Sequence, residues 1–285
     1  MARASLSVLV AGALVQACPA AAQFLRQDVW QPDGPVYAMA TVGSTLYVGG
    51  AFGSVRLPVG EFAELDAMTG RIHERNATLN GGKVNAVASD GAGGWYLGGY
   101  GLSGGRNLVH MLPDRSLTTW DPAVAGEVTA LAISGSLLYV GGWFTSAGAK
   151  PRDYLAAYDL TTGHVTPWNP SLMSSPFAEV RALLVSGSIV YVGGSFTSIG
   201  GQPRDNVAAV DVATGQATSW TPNANSRVWA LLDCGGTIFA AGDFTSIGGA
   251  TRSRIAALDS GTGQATDWAA DADGGVIALA RQGSS

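Results

Sequence analysis

Four arginines recur at matched places along the chain. Arg106, Arg152, Arg204 and Arg252 each follow a glycine-rich segment by a few residues. A guanidinium presents a planar fork of donors that suits carboxylate, phosphate or sulfate. If equivalent positions gather on one face, these four make a cationic ring for an anion. The competing reading pairs each arginine with an acid, because Asp153 and Asp205 follow directly and Asp159, Asp211 and Asp259 recur behind them. The glycines invite a second chemistry. In YVGGSFTSIGGQPRDNVAAVD, Tyr191 to Asp211, two glycine pairs flank a hydroxyl-rich segment, and such loops can cradle phosphate with backbone N–H groups. A phosphate loop, however, occurs once and opens a helix. This segment has five versions, and each leads into another strand-like run, so the glycines read as bulges or points of close backbone approach.

Support for catalysis is thin, and no catalytic residue is assigned. His73, His110 and His164 fall at three different repeat positions without metal-ligand spacing, so no metal site is assigned either. Thr145-Ser146, Thr197-Ser198 and Thr245-Ser246 recur, but a nucleophile needs a base beside it, and no histidine recurs with them. The recurrent Asp159, Asp211 and Asp259 precede Thr-Gly and read as turn braces. They lack the dense acids of a calcium loop. Cys234 stands where other repeats have serine, with no acid or base partner in view. The closing tryptophans, Trp30, Trp120, Trp168, Trp220 and Trp268, read as packing pins rather than sugar platforms. Trp143 and Trp229 lie outside the shared pattern and are better placed for an exposed contact.

The elements that position these residues come from a repeat. The second glycine of each pair falls at Gly50, Gly99, Gly142, Gly194 and Gly242, at intervals of 49, 43, 52 and 48 residues. Each unit holds a short apolar stretch, a turn, the Tyr-Val-Gly-Gly stretch, the FTS segment, an apolar run ending in aspartate, a Thr-Gly turn and a Trp-x-Pro close. The first two units are looser. Four short stretches per ~48 residues, each bounded by turn residues, predict four antiparallel strands. The fold class is therefore all-β, a β-propeller of four-stranded blades with five complete repeats. A partial sixth is suggested by Phe24 to Trp30 ahead of them and by Val276 to Ala280 behind them. The surplus pieces match a fourth and a first strand, which are not neighbours in a blade. A five-bladed ring with extra edge strands and a piece of a longer array both remain open.

The consensus Y-V-G-G-x-F-T-S-x-G-G-x-x-R, followed by A-A-x-D-x-x-T-G and W-x-P, resembles the delta-60-type propeller repeats of bacterial exported proteins. It is also similar to the repeats of fungal cell-surface polarity-marker proteins. The resemblance implies a secreted or surface propeller and brings no catalytic residues. The segment AAYDLTTGHVTPW, Ala156 to Trp168, is similar to the tryptophan-docking repeat of quinoprotein dehydrogenases. Those enzymes have more blades, and many carry an adjacent cysteine pair that this chain lacks. No quinone or other cofactor is expected.

The ends and the bulk composition agree with export. Residues 1–22 read as a signal peptide, with Arg3, an apolar Leu6 to Val15 and Ala20-Ala21-Ala22, leaving 23–285 as the repeat domain. A lipoprotein signal at Cys18 is a rival reading. No later apolar run has the length of a membrane span. The net charge is −5, and no basic cluster offers a nucleic-acid footprint. The expected function is an exported, non-catalytic binding scaffold for a protein or glycan. A glycan hydrolase or lyase with channel acids such as Glu127, Glu179 or Asp233, and a structural module of a larger surface protein, are the alternatives.

Overall fold

The protein is described from a computed structural model covering residues 35–42, 45–51, 62–66, 79, 81–173 and 178–280. Residues 1–22, read above as a signal peptide, with Cys18, the stretch from Phe24 to Trp30 and His73 lie outside the described residues. Five antiparallel sheets of longer strands follow one another along the chain, and short ladders of two-residue strands lie beside the last three. Sheet 1 holds Val36–Val42, Thr45–Gly50 and Phe62–Asp66. Sheet 2 holds Lys83–Ser89, Trp95–Leu102 and Arg106–Met111. Sheet 3 holds Gly126–Ser134, Leu137–Phe144 and Leu155–Asp159. Sheet 4 holds Glu179–Ser186, Ile189–Ser195 and Val207–Asp211. Sheet 5 holds Val228–Asp233, Thr237–Gly242 and Ile255–Asp259. In every sheet the second strand lies between the first and third. First strands of successive sheets pack against each other in chain order.

The core lies between sheets, which is why single sheets need not be stable alone. One cluster joins Tyr139, Leu155 and Ala157 of sheet 3 to Val180, Val190 and Val192 of sheet 4. Others join sheet 4 to sheet 5, sheet 2 to sheet 3 and sheet 1 to sheet 2. A middle strand covered on both faces must be apolar throughout, and Leu138, Tyr139 and Val140 are all buried. The third strands use small residues where neighbours press closest, as at Ala156, Ala157, Ala208, Ala209, Ala256 and Ala257.

The two glycines of each pair have different tasks. A Cβ on Gly98, Gly141 or Gly193 would come within 2.4, 2.5 or 2.8 Å of the Cγ1 of Val128, Val180 or Val228 in the next sheet. The first glycine thus sets the spacing between sheets. A Cβ on Gly99, Gly142 or Gly194 would fall 1.8, 2.1 or 2.0 Å from the carbonyl oxygen of Lys83, Glu127 or Glu179. The second glycine makes room for a bulge in its own first strand. In sheet 5 the first position is the buried Ala241 instead of a glycine. The expected further first strand at Val276–Ala280 does not form: the segment carries no strand, and Ile277 is 74% exposed. Only the Val276 amide reaches the Gly242 carbonyl, at 3.3 Å.

Each sheet has three full strands, and in sheets 2–5 the fourth stretch is reduced to one isolated bridge, such as Tyr158 to Val165 or Val210 to Ala217. Two backbone bonds per stretch extend it, for example Asp211 N–H to Gln216 O and Thr218 N–H to Ala209 O, both 2.9 Å. The ladder then stops because side chains take over its polar groups. Arg204 Nη2 donates to Thr218 O at 2.6 Å, and Trp220 Nε1 turns to Asp259 O of the next sheet at 3.0 Å.

Candidate functional site

The first strands carry the same irregularity in all five sheets. Pairing slips by one residue between Val36 and Ala38, Val84 and Ala86, Val128 and Ala130, Val180 and Ala182, and Val228 and Ala230. A bulge leaves one residue out of register and re-aims its side chain. The bulged residues are Tyr37, Asn85, Thr129, Arg181 and Trp229. Valine and alanine on either side are constant while the bulged residue differs every time. Two more positions vary beside it. Before the valine stand Pro35, Lys83, Glu127, Glu179 and Arg227. After the glycine pair stand Ala51, Tyr100, Trp143, Ser195 and Asp243. These two positions are cross-strand partners: Lys83 faces Tyr100, Glu127 faces Trp143 and Glu179 faces Ser195. The Ala51 and Asp243 amides bond Pro35 O and Arg227 O in the same places. Constant residues therefore build the packing, and three variable positions per sheet converge on one edge.

The edge has two halves. In sheets 1–3, Lys83 Nζ lies 2.5 Å from Glu127 Oε1, which also accepts from Asn85 Nδ2 at 2.8 Å. Partial burial pushes the Glu127 carboxyl up. The hydrogen bonds from Lys83 and Asn85, with the charges of Lys83 and Arg181, outweigh it and hold the group below its ordinary value. Lys83 also sits 5.4 Å from the ring centre of Tyr37. Tyr37, Tyr100 and Trp143 are exposed by 48, 61 and 57%. The bulged Asn85 and Thr129 latch onto the next sheet, Asn85 Nδ2 donating to Val128 O at 3.0 Å and the Thr129 hydroxyl to Val180 O.

Sheets 4 and 5 are closed by contrast. Glu179 Oε2 accepts from Arg181 Nε and Nη2 at 2.9 and 2.6 Å, and Arg227 Nε lies 2.9 Å from Glu179 Oε1. Both guanidiniums lie near the half-buried Trp229 ring, at 5.1 and 4.8 Å. Trp229 Nε1 donates to Asp243 Oδ2 at 2.8 Å. The two tryptophans singled out from the sequence thus share this edge, but Trp143 is open and Trp229 is covered. Glu127 and Glu179 also lie here, each engaged by cations. Asp233 lies at the far end of its strand, where it accepts from Ser186 Oγ at 2.7 Å.

The four arginines sit elsewhere, as latches on the fourth stretch. Arg152, Arg204 and Arg252 each donate Nη2 to a threonine carbonyl fourteen residues on and Nη1 to the preceding residue's carbonyl. Arg106 reaches the Thr118 and Trp120 carbonyls at 3.3 and 3.2 Å. Among the described residues none of the four makes an ion pair. Of the acids that would have paired with them, Asp159, Asp211 and Asp259 brace their own turns, as Asp211 Oδ1 does by accepting from the Ala213 and Thr214 amides. The closing tryptophans pin neighbouring sheets. Trp168 stands edge-on to Tyr139 and Trp220 to Tyr191, and their indole N–H groups donate to the Asp211 and Asp259 carbonyls of the following sheet.

The remaining candidates stand apart. His110 Nε2 lies 3.0 Å from Asp90 Oδ2 and stacks on Tyr96, while His164 is exposed in a turn. Cys234 is half-buried between the first two strands of sheet 5. Among the described residues no three His, Cys, Asp or Glu side chains gather as metal ligands, and no helix is long and apolar enough to cross a membrane.

A family model described as a domain of unknown function, DUF5122 β-propeller, matches residues 236–261. That span covers the second and third strands of sheet 5, the unit that the other sheets repeat. The five sheets are propeller blades. Solved structures agree at the level of fold. A computationally designed protein, Ika8, superposes with a TM-score of 0.53 at 19% identity, over 82% of this chain and 62% of that one. A chain of a nidogen/laminin complex also gives 0.53, at 9% identity, over 82% of this chain and 79% of that one. The chain thus spans less than two thirds of the designed protein's length. No curated protein matches it.

The bulged edge was missed in the sequence reading, although a signal for it existed. Aligned on the glycine pairs, the repeats keep valine and alanine in the first stretch and change the residue between them each time.

Proposed function

We propose that the protein is an exported, non-catalytic binding scaffold whose ligand face is the bulged edge of the blades. The observation that carries this reading is the five bulged residues, Tyr37, Asn85, Thr129, Arg181 and Trp229, of five different types between constant neighbours. A position that only packs the fold would repeat with the fold. The acids of this edge support binding over hydrolysis, because Glu127 and Glu179 are both engaged by cations and the Glu127 carboxyl is held below its ordinary value, whereas a general acid needs a raised one. In this reading Arg106, Arg152, Arg204 and Arg252 hold the blades and leave ligand contact to the edge. Export rests on the N-terminal 22 residues, and N-terminal sequencing of the mature protein checks it.

The reading is tested by replacing Tyr37, Tyr100, Trp143 and Trp229 together with alanine. Binding of labelled protein to the surface of the producing cells should fall to background while the melting transition stays cooperative. Unchanged surface binding by that folded variant would reject the edge as the ligand face.

A further inference from the structure

We infer that the open half of the edge, over blades 1–3, is a site for a neutral oligosaccharide. This rests on the edge being the ligand face and names the class of ligand. Three exposed aromatic rings, Tyr37, Tyr100 and Trp143, come from three successive blades. Between them lies one ion pair that bridges blades 2 and 3, Lys83 to Glu127. Tyr100 is the cross-strand partner of Lys83, and Trp143 that of Glu127. Directly opposite residues in an antiparallel pair point to the same side of the sheet. The rings and the ion pair therefore form one surface.

The charges of this surface select against charged ligands. Lys83 is neutralised by Glu127 and already stands over Tyr37, so neither the cation place beside that ring nor the carboxylate is vacant for a ligand ammonium. An anion would have to displace Glu127 from Lys83. Among the described residues, Lys83 is the one cation at the variable positions of blades 1–3, whereas nucleic acid needs several. The centre of a protein–protein patch is depleted of charge, but here an ion pair stands among the aromatics. An uncharged ligand with apolar faces and a rim of hydroxyls meets both features. A pyranose lays its C–H face on a flat ring and gives hydroxyls to a carboxylate and an ammonium at its edge. Rings on successive blades suit several sugars in a row. Blades 4 and 5 offer less, since Trp229 is covered by Arg181 and Arg227 and its N–H is used by Asp243.

The test is calorimetric titration of the full chain with neutral hexasaccharides of glucose, mannose, xylose and galactose, beside heparin and a polyuronate. At least one neutral hexasaccharide should bind saturably. Trp143→Ala and Tyr100→Ala should each weaken it about tenfold or more, as expected for losing most of one stacked ring, and Trp229→Ala should change it less than threefold. Both targeted rings are exposed, so these variants should melt within a few degrees of the parent, which separates lost binding from lost fold. Binding that is lost in Trp229→Ala but kept in Trp143→Ala would overturn this assignment and leave the edge as ligand face. Saturable binding only to the charged polymers would overturn the neutral class. Sugar binding indifferent to all three substitutions would overturn both this site and the edge. No saturable binding to any neutral hexasaccharide would overturn the oligosaccharide assignment alone.

Discussion

Gly141→Ala tests the packing that holds the edge together. The added methyl would lie 2.5 Å from Val180 Cγ1, 3.1 Å from Val180 Cβ and 3.2 Å from Leu183 Cδ1. Val180 is fully buried beside its bulge. A valine has few rotamers to escape into, since turning one methyl away brings the other in. The two blades must therefore part by several tenths of an ångström along a close-packed interface. Overpacking of this kind costs about 1–3 kcal/mol. For a chain of this size that lowers the melting temperature by roughly 2–4 °C per kcal/mol. Calorimetry of Gly141→Ala, Val180→Ala and the double variant measures the effect. The double variant should be more stable than the sum of the singles by about 0.5–3 kcal/mol, because removing the valine methyls makes room for the new one. Additive losses, or a Gly141→Ala protein that melts with the parent, would refute the close-approach account of the glycine pair.

Three further outcomes follow from the blade geometry. Arg204→Lys should destabilise nearly as much as Arg204→Ala, by about 1–3 kcal/mol in denaturant titrations, since one ammonium cannot span the Thr218 and Pro203 carbonyls as the guanidinium fork does. Trp220→Phe should cost about 1 kcal/mol for the bond to Asp259 O, whereas Trp220→Ala should cost about 3–5 kcal/mol by leaving a cavity against Tyr191. The Asp159, Asp211 and Asp259 carboxyls are held below their ordinary value, Asp159 chiefly by turn amides, Asp211 by the Thr214 amide and Asp259 by the Thr262 hydroxyl. A depressed folded-state pKa gives stability that is present above the unfolded pKa of about 4 and lost as pH falls through the folded value. Melts from pH 5 to pH 2 should thus drop less steeply for Asp211→Asn than for the parent.

The repeat made the all-β blades legible because the packing chemistry recurs. Valine and alanine recur in every first strand, and glycine pairs and closing tryptophans in most repeats. The turn aspartates were legible for the same reason, since Asp-x-x-Thr-Gly is a local device whose partners lie within four residues. The arginines were legible as a recurrence but not as latches, because their acceptors are backbone carbonyls, which carry no side-chain signature. The fourth strand is shorter than its sequence suggests, since a pattern of apolar residues does not reveal that Arg204 takes the Thr218 carbonyl. The bulged edge has no recurring side chain to mark it. Tyr37, Asn85, Thr129, Arg181 and Trp229 share no chemistry, and only the register of their strands shows that they hold one position.

The most direct measurement of the central claim is amide hydrogen exchange of the full chain with and without a bound ligand. Added protection should fall on the segments around residues 36–38, 83–86, 99–101, 126–130 and 141–144, with the fourth-stretch segments around Thr166, Thr218 and Thr266 unchanged. Protection centred on those fourth stretches and their arginines, with the bulged edge exchanging as before, would contradict it.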